Sequence, residues 1–344
     1  MMTTAASSEP KLRSRPAAAA FIMFGGIALL ALGIILSVSY GAANIKPAAV
    51  WQAVFSYNPE LTEHQIVREL RLPRALAGAL VGACFAVAGA IMQGMTRNPL
   101  ADPGLLGINA GAGLVLAVCF AFFPGLPFLK LILLSFLGAA VGAALVYGFG
   151  SLAGKGLTPV RLALAGATVS ALLTAISEGI AIYFRIGQDL AFWHAGGVAG
   201  VKWTQLRVMF PWAAGALAAA LLLSRSVTLL SLGEEVATGL GGRTAMAKLG
   251  CAAVVLVLAG AAVSAVGPIG FVGLVIPHIA RYFVGVDYRR IIPVSAIFGG
   301  LLMVFADIGA RMVHPPYETP IGALIALIGV PFFLYLARRE GREL

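Results

Sequence analysis

The chain has 344 residues, of which 60% are hydrophobic and 11% charged, with a formal net charge of +10. So little polar surface cannot coat a soluble globule, which excludes a soluble domain and makes lipid the solvent. The basic excess does not point to nucleic acid either, because the arginines and lysines punctuate apolar runs instead of forming one concentrated basic face.

Met1 to Pro16 is polar and carries Lys11, Arg13 and Arg15, so 1–16 is expected to be a cytoplasmic tail. The apolar run from Ala17 to about Tyr40 is too long for a signal-peptide core. It is expected to stay in the chain as a first membrane helix, although Gly41-Ala42-Ala43 superficially resembles a cleavage site. A spanning helix needs roughly 20 apolar residues, which leaves room for about ten spans. The apolar runs place them near 17–40, 75–96, 104–123, 128–153 and 161–184, then near 209–224, 245–266, 269–284, 291–312 and 320–337. The chain therefore reads as all-α, with one membrane domain over 17–337 and a short cytoplasmic tail at 338–344.

Short cytoplasmic loops collect Lys and Arg. The rule puts both termini inside, and the exceptions on the outer side cluster at Arg68, Arg71 and Arg74, which suggests a task for those charges. Two sets of five spans have opposite orientations, the arrangement of an inverted-topology repeat. Gly-Pro interruptions recur in both halves, at Asn98 to Gly104 and at Gly267 to Gly270. Asp102 followed by Pro103 is a good helix start. The 42 glycines lie largely in small-residue stretches such as Gly78 to Gly89, which let helices approach closely. Cys84, Cys119 and Cys251 stand singly in apolar stretches, without zinc or redox spacing.

Among ionisable groups in the spans, Glu178 lies deep in the fifth, with Arg185 two turns later. It suits a proton carrier or an interhelical hydrogen bond equally well. His278 follows Pro277 and has no second ligand at helical spacing, so no metal site is expected there. The segment from about 225 to 245 is polar for this chain and falls on the inner side. No Gly-x-x-x-x-Gly-Lys-Ser/Thr loop is present to cradle phosphates, so this chain is expected to bind no ATP and no other cofactor.

An ordered set of segments resembles the FecCD-type permeases of ATP-binding-cassette importers, which carry iron–siderophores, haem and cobalamin. The set is Leu70-Arg71-Leu72-Pro73-Arg74, Gln93 to Pro103, Leu106-Gly107 with Gly111-Ala112-Gly113, Leu232-Gly233-Glu234-Glu235, Gly267 to Leu274 with Pro277-His278 and Arg281, Asp307 with Arg311, and Glu318 to Gly322. The resemblance implies a type II importer permease of ten helices in two inverted halves, in a bacterial inner or plasma membrane. Its implied partners are a second permease chain, identical or related, a cytoplasmic ATPase dimer holding ATP and magnesium, and an extracytoplasmic siderophore-binding protein. Non-catalytic itself, the chain would move ferric siderophores by alternating access.

By the same resemblance Leu232, Gly233, Glu234, Glu235, Ala237, Leu240 and Gly241 form the coupling segment against the ATPase, the alternative being an ordinary solvated loop. Arg71, Arg74 and Arg311 match arginines that dock acidic residues of the binding protein; the alternative is headgroup anchoring. Asn98, Leu100 and Thr158 correspond to a cytoplasmic constriction. Trp193, His194, Gly196 and Gly197 correspond to an outer gate or to an interfacial aromatic belt. Gln188 to Trp193 and Val330 to Leu336 look most like siderophore permeases. The rival readings are a haem or cobalamin permease, and a proton-coupled carrier using Glu178 and Asp307.

Overall fold

The structure is a computed structural model that describes residues 16–41, 45–152, 159–314 and 317–340. Every regular element among these residues is helical. Seven helices are long and apolar enough to cross a membrane, and three shorter apolar ones bring the total among the described residues to the expected ten. They are α1 (Pro16–Ser39), then α4 (Leu72–Thr96), α5 (Ile108–Phe122), α6 (Phe128–Leu152) and α7 (Pro159–Phe184) in the first half. The second half contains α9 (Trp203–Ser231), α11 (Thr244–Val266), α12 (Val272–Val284), α13 (Tyr288–Val313) and α14 (Ile321–Glu340). Short helices α2 (Pro47–Phe55), α3 (Thr62–Gln65), α8 (Gly187–Ala195) and α10 (Glu234–Gly239) sit between them.

Three boundaries differ from the sequence expectation for physical reasons. The second span begins earlier, because α3 passes through a π-helical stretch, Ile66–Arg71, directly into α4. The sixth is the 29-residue α9, since Arg207 lies exposed near its N-terminal end and does not stop the helix. The last runs to Glu340, into what the charges at Arg338 and Arg339 mark as a tail. Asp102 does cap a helix, accepting from Gly104 N–H at 2.8 Å, but the helix is a 3₁₀ turn over Pro103–Leu106. Gly107, at φ 72°, then redirects the chain into α5.

α4 is the axis of the bundle. Of its most apolar window 83% is buried inside the protein, against 17% for α1 at the periphery. It packs on α13, α11, α9 and α12. A membrane supplies no hydrophobic force between helices, so their association depends on close van der Waals approach through small residues. Gly82 meets Gly299 of α13 and Gly89 meets Gly273 of α12, backbone against backbone. α5 and α6 meet in the same way through Gly111 and Gly138. At 13 residues α12 is too short to cross a hydrocarbon core about 30 Å thick. The irregular stretch 267–271 completes it. Irregular backbone at such depth must be covered by protein, and Gly267 and Ile269 are buried against α8.

Candidate functional site: an outer mouth and an inner coupling face

Three arginines meet at the end of the bundle where α1 finishes. The π-helical stretch brings Arg71 to that end, and Arg74 lies on the first turn of α4. Arg74 Nε and Nη2 donate to Asp307 Oδ1 at 2.9 and 2.8 Å, and its Nη1 to Glu318 Oε1 at 2.5 Å. Arg311 Nη2 lies 2.8 Å from Asp307 Oδ2, one turn along α13. The same guanidinium donates to Ser37 O and Tyr40 O at 3.0 Å each, and to Ser37 Oγ at 2.6 Å. Arg71 Nη1 donates to Val38 O and Ser39 O at 3.0 and 2.9 Å.

These four carbonyls, from Ser37 to Tyr40, are the groups a helix C-terminus leaves without intrahelical partners. Two cations at the negative end of the helix dipole satisfy them. Arg71 and Arg74 are buried, and the Arg311 side chain is 8% exposed. All three are thus engaged inside the chain, and meeting an acidic partner through them requires breaking internal bonds. Arg68 and Arg207 are exposed at this end, on either side of Trp203, whose indole N–H donates to Arg68 O at 2.8 Å.

Next to the network lies a cavity of about 400 Å³ bordered by Arg74, Phe192, Trp193, Gly197, Glu318 and Ile321. α8 ends at Ala195, and Gly196 and Gly197, with φ of 63° and 145°, turn the chain where a β-carbon is disfavoured. Gly197 N–H donates to Val266 O at 2.8 Å. A Cβ on Gly267 would lie 2.3 Å from Trp193 O, and one on Gly196 would lie 2.7 Å from Pro268 O. Trp193 and the partly exposed imidazole of His194 both lie against Gly113 of α5. Four of the residues expected at an outer gate therefore form one turn clamped against the break between α11 and α12. Glu178, one of the rival carrier's two carboxylates, stands exposed on α7. The other, Asp307, is neutralised between two arginines.

At the opposite end, Asn98 Oδ1 accepts from Leu100 N–H at 2.9 Å, folding the segment after α4 into a tight turn. Thr158 lies outside the described residues. A belt the sequence reading missed holds this end together: Gln93 donates to Gly273 O and Leu274 O at 3.2 Å and accepts from Arg281 Nη2 at 3.0 Å. Arg281 also reaches Tyr288 OH at 3.3 Å. The signal was present, since Gln93 and Arg281 both fall in segments that carry the resemblance, but their pairing across 188 positions leaves no local trace. His278 packs edge-on to Phe332 at 5.8 Å, and no metal-binding cluster occurs among the described residues.

The segment expected to couple forms α10, entered through Gly233 at φ 116° and left through Gly241 at φ 78°. Ala237 is its buried anchor. Glu234 bonds Lys248 Nζ of α11 at 2.6 Å, and that bond holds the Glu234 carboxyl below its ordinary range. Leu232, Val236 and Leu240, four residues apart, are 57, 50 and 65% exposed. Val236 stands on α10 and Leu232 and Leu240 flank its two ends, an exposed apolar group outside the spans.

Residues 29–339 match the model of the FecCD transport family. The chain belongs to this family. It is 54% identical over 339 residues to the iron(3+)-hydroxamate import system permease protein FhuB of Bacillus subtilis (strain 168), covering 98% of this chain and 88% of that one. It is 41% identical over 319 residues to the ferric enterobactin transport system permease protein FepD of Escherichia coli (strain K12), covering 92% and 95%. A solved metal-chelate-type ABC transporter in an inward-facing conformation superposes with a TM-score of 0.81 at 28% identity, over 93% of this chain and 99% of that one. The FecCD chain described here is accordingly a multi-pass membrane permease.

Proposed function

We propose that this FecCD chain is one of two permease chains in an ATP-binding-cassette importer, and that its cargo is a ferric siderophore, with hydroxamates the first class to test. The 54% identity to an iron(3+)-hydroxamate permease across nearly the whole chain supports the cargo. One structural observation carries the mechanism: the exposed apolar side chains of Val236 on α10 and of Leu232 and Leu240 at its two ends. An exposed apolar patch on a soluble end of a membrane protein marks a protein contact. With Glu234 and Glu235 beside them, these side chains suit a cleft on a cytoplasmic ATPase that holds ATP and magnesium. Ala237 and the Glu234–Lys248 bond fasten α10 to α9 and α11, so a push on the helix is delivered to the spans as rigid-body motion.

Glu178 supports a pathway shared between two chains. A carboxylate exposed on a membrane helix belongs in a water-filled cavity or against a partner rather than in lipid, which suits α7 lining the route. The cavity of about 400 Å³ at the outer mouth would then be one wall of that route, with a second copy or a related chain supplying the other. The inner orientation of α10 and of both termini follows from the basic residues at that end. The siderophore-binding protein is then placed over the opposite face, where Arg68 and Arg207 are accessible, with Arg71, Arg74 and Arg311 holding that face in shape.

The test is uptake of radiolabelled iron, offered as hydroxamate, catecholate and citrate chelates and as haem, beside labelled cobalamin. The cells lack the chain, carry it, or carry it with Glu234→Arg and Glu235→Arg together. Deletion is expected to abolish uptake of one ferric chelate, and the double variant, inserted at normal levels, is expected not to restore it. Loss of haem or cobalamin uptake instead would reassign the cargo. Normal transport by the double variant would remove the coupling role from α10.

A further inference from the structure

A cavity of about 500 Å³ opens at the root of α10 and has no role in the transport scheme above. It lies where the last turns of α4 and α6, the first turns of α7 and α11, and the end of α9 converge. Its walls are apolar, formed by Met95, Leu162, Leu249 and Ala252 among others. At its edge stand Arg97 and Lys248, with Glu234 as the one carboxylate. Glu234 is already bonded to Lys248, so the rim retains one positive charge in excess. The Tyr147 side chain lines the same space, with its hydroxyl turned away from solvent.

We infer that this cavity is a binding site for an anionic phospholipid of the inner leaflet, its phosphate against Arg97 and Lys248 and part of an acyl chain along the apolar wall. The inference rests on the orientation proposed above, which puts this end of the bundle at the cytoplasmic headgroups. Three features select the occupant. The volume falls within the range of small-ligand sites, about 300–1,000 Å³. The walls suit a hydrocarbon chain better than a hydrated ion. The basic rim sits at the ends of membrane helices, where pockets of this composition take lipid phosphates. Arg97 is also held in a left-handed conformation, φ 53°, which turns the chain sharply at the end of α4. A phosphate seated there shares Lys248 with Glu234, and so sets how firmly α10 is held to α11.

The experiment is native mass spectrometry of the full purified chain in detergent, titrated with phosphatidylglycerol, with phosphatidylcholine of the same acyl chains, and with glycerol phosphate. The intact chain is expected to bind phosphatidylglycerol about tenfold tighter than phosphatidylcholine, and millimolar glycerol phosphate is expected not to displace it. Arg97→Gln with Lys248→Gln should remove the preference. Ala252→Phe, which fills the cavity without touching charge, should weaken retention of the anionic lipid, while Arg207→Gln at the far end should not. Equal binding of the two lipids, a preference that survives both the double variant and Ala252→Phe, or displacement by glycerol phosphate would each overturn the inference. If the double variant does not fold, Ala252→Phe decides. None of these readouts depends on cargo or on an ATPase, so failure here leaves the transport reading standing, and failure of uptake leaves this one.

Discussion

Asp307→Asn is expected to lower the stability of the purified chain by about 3–5 kcal/mol, the cost of leaving a buried charge without its partner, and to reduce its yield in the membrane. Asp307 is 1% exposed and lies between Arg74 and Arg311, which it is close enough to bond at 2.8 Å on both sides. Removing its charge leaves two buried guanidiniums, of which Arg74 keeps an ion pair with Glu318, and the Glu318 side chain is 47% exposed. Water screens that second pair, so it cannot take over. Glu318→Gln by itself is expected to cost about 1 kcal/mol or less. The contrast separates the two carboxylates, with thermal unfolding in a mild detergent as the measurement. An Asp307→Asn chain as stable as the parent would show that Arg311 finds enough in the carbonyls of Ser37 and Tyr40 and Arg74 in Glu318, and that the network is no keystone. Arg311→Gln should give a further signature, because it also uncaps α1. Proteolysis within Ser37 to Gly41 is expected to quicken in that variant.

That network shows where a sequence reading stops. Arg71 and Arg74 stand out, with Arg68, because they break the charge rule for outer segments, and Arg311 because of the family resemblance. The task visible in the structure is internal. Arg71 reaches carbonyls 32 and 33 positions away, and Arg74 reaches Asp307 across 233 positions. Backbone carbonyls carry no sequence signature, so a helix C-terminus in need of donors cannot be read from residue types. The Gln93–Arg281 bond is hidden for the same reason.

The spans are a different case. Their signal is composition over about 20 residues, which the bilayer itself demands, and all ten fall where hydropathy puts them. Depth within the bundle is not encoded in that signal, because lipid-facing and protein-facing helices are both apolar. The sequence of α4 hints at its central position only through its glycines and alanines, whereas α1, with Phe21 and Phe24 exposed, faces outward. The short α10 was legible as a polar interruption, but the exposed apolar group on it and at its ends emerges only once Ala237 is seen to point inward and Leu232, Val236 and Leu240 outward.

Gly89→Val should have the largest effect of any single uncharged substitution in the central helix. A β-carbon at this position would lie 1.9 Å from Gly273 O and 2.4 Å from the Gly273 carbonyl carbon and Cα. All three are backbone atoms, so no side chain can swing aside, and α4 and α12 must move apart. Separation along that crossing also stretches the Gln93 bonds to Gly273 O and Leu274 O one turn further on, and it strains the Gly82–Gly299 contact with α13 two turns back. Lipid does not push the helices together again, because it solvates the newly exposed apolar surface as well as the protein did. The loss is therefore expected to exceed about 4 kcal/mol, the range reserved for disrupted backbone packing or buried charge, and to appear as failure to recover folded protein. Gly215→Ala on α9 is the matching control, since a β-carbon there meets nothing within 4 Å and the residue is exposed. Its helical glycine gains about 0.5–1 kcal/mol on replacement by alanine, so the two substitutions should move the melting temperature in opposite directions. Survival of Gly89→Val with a near-normal melting temperature would mean that the α4–α12 crossing is not held by close backbone approach.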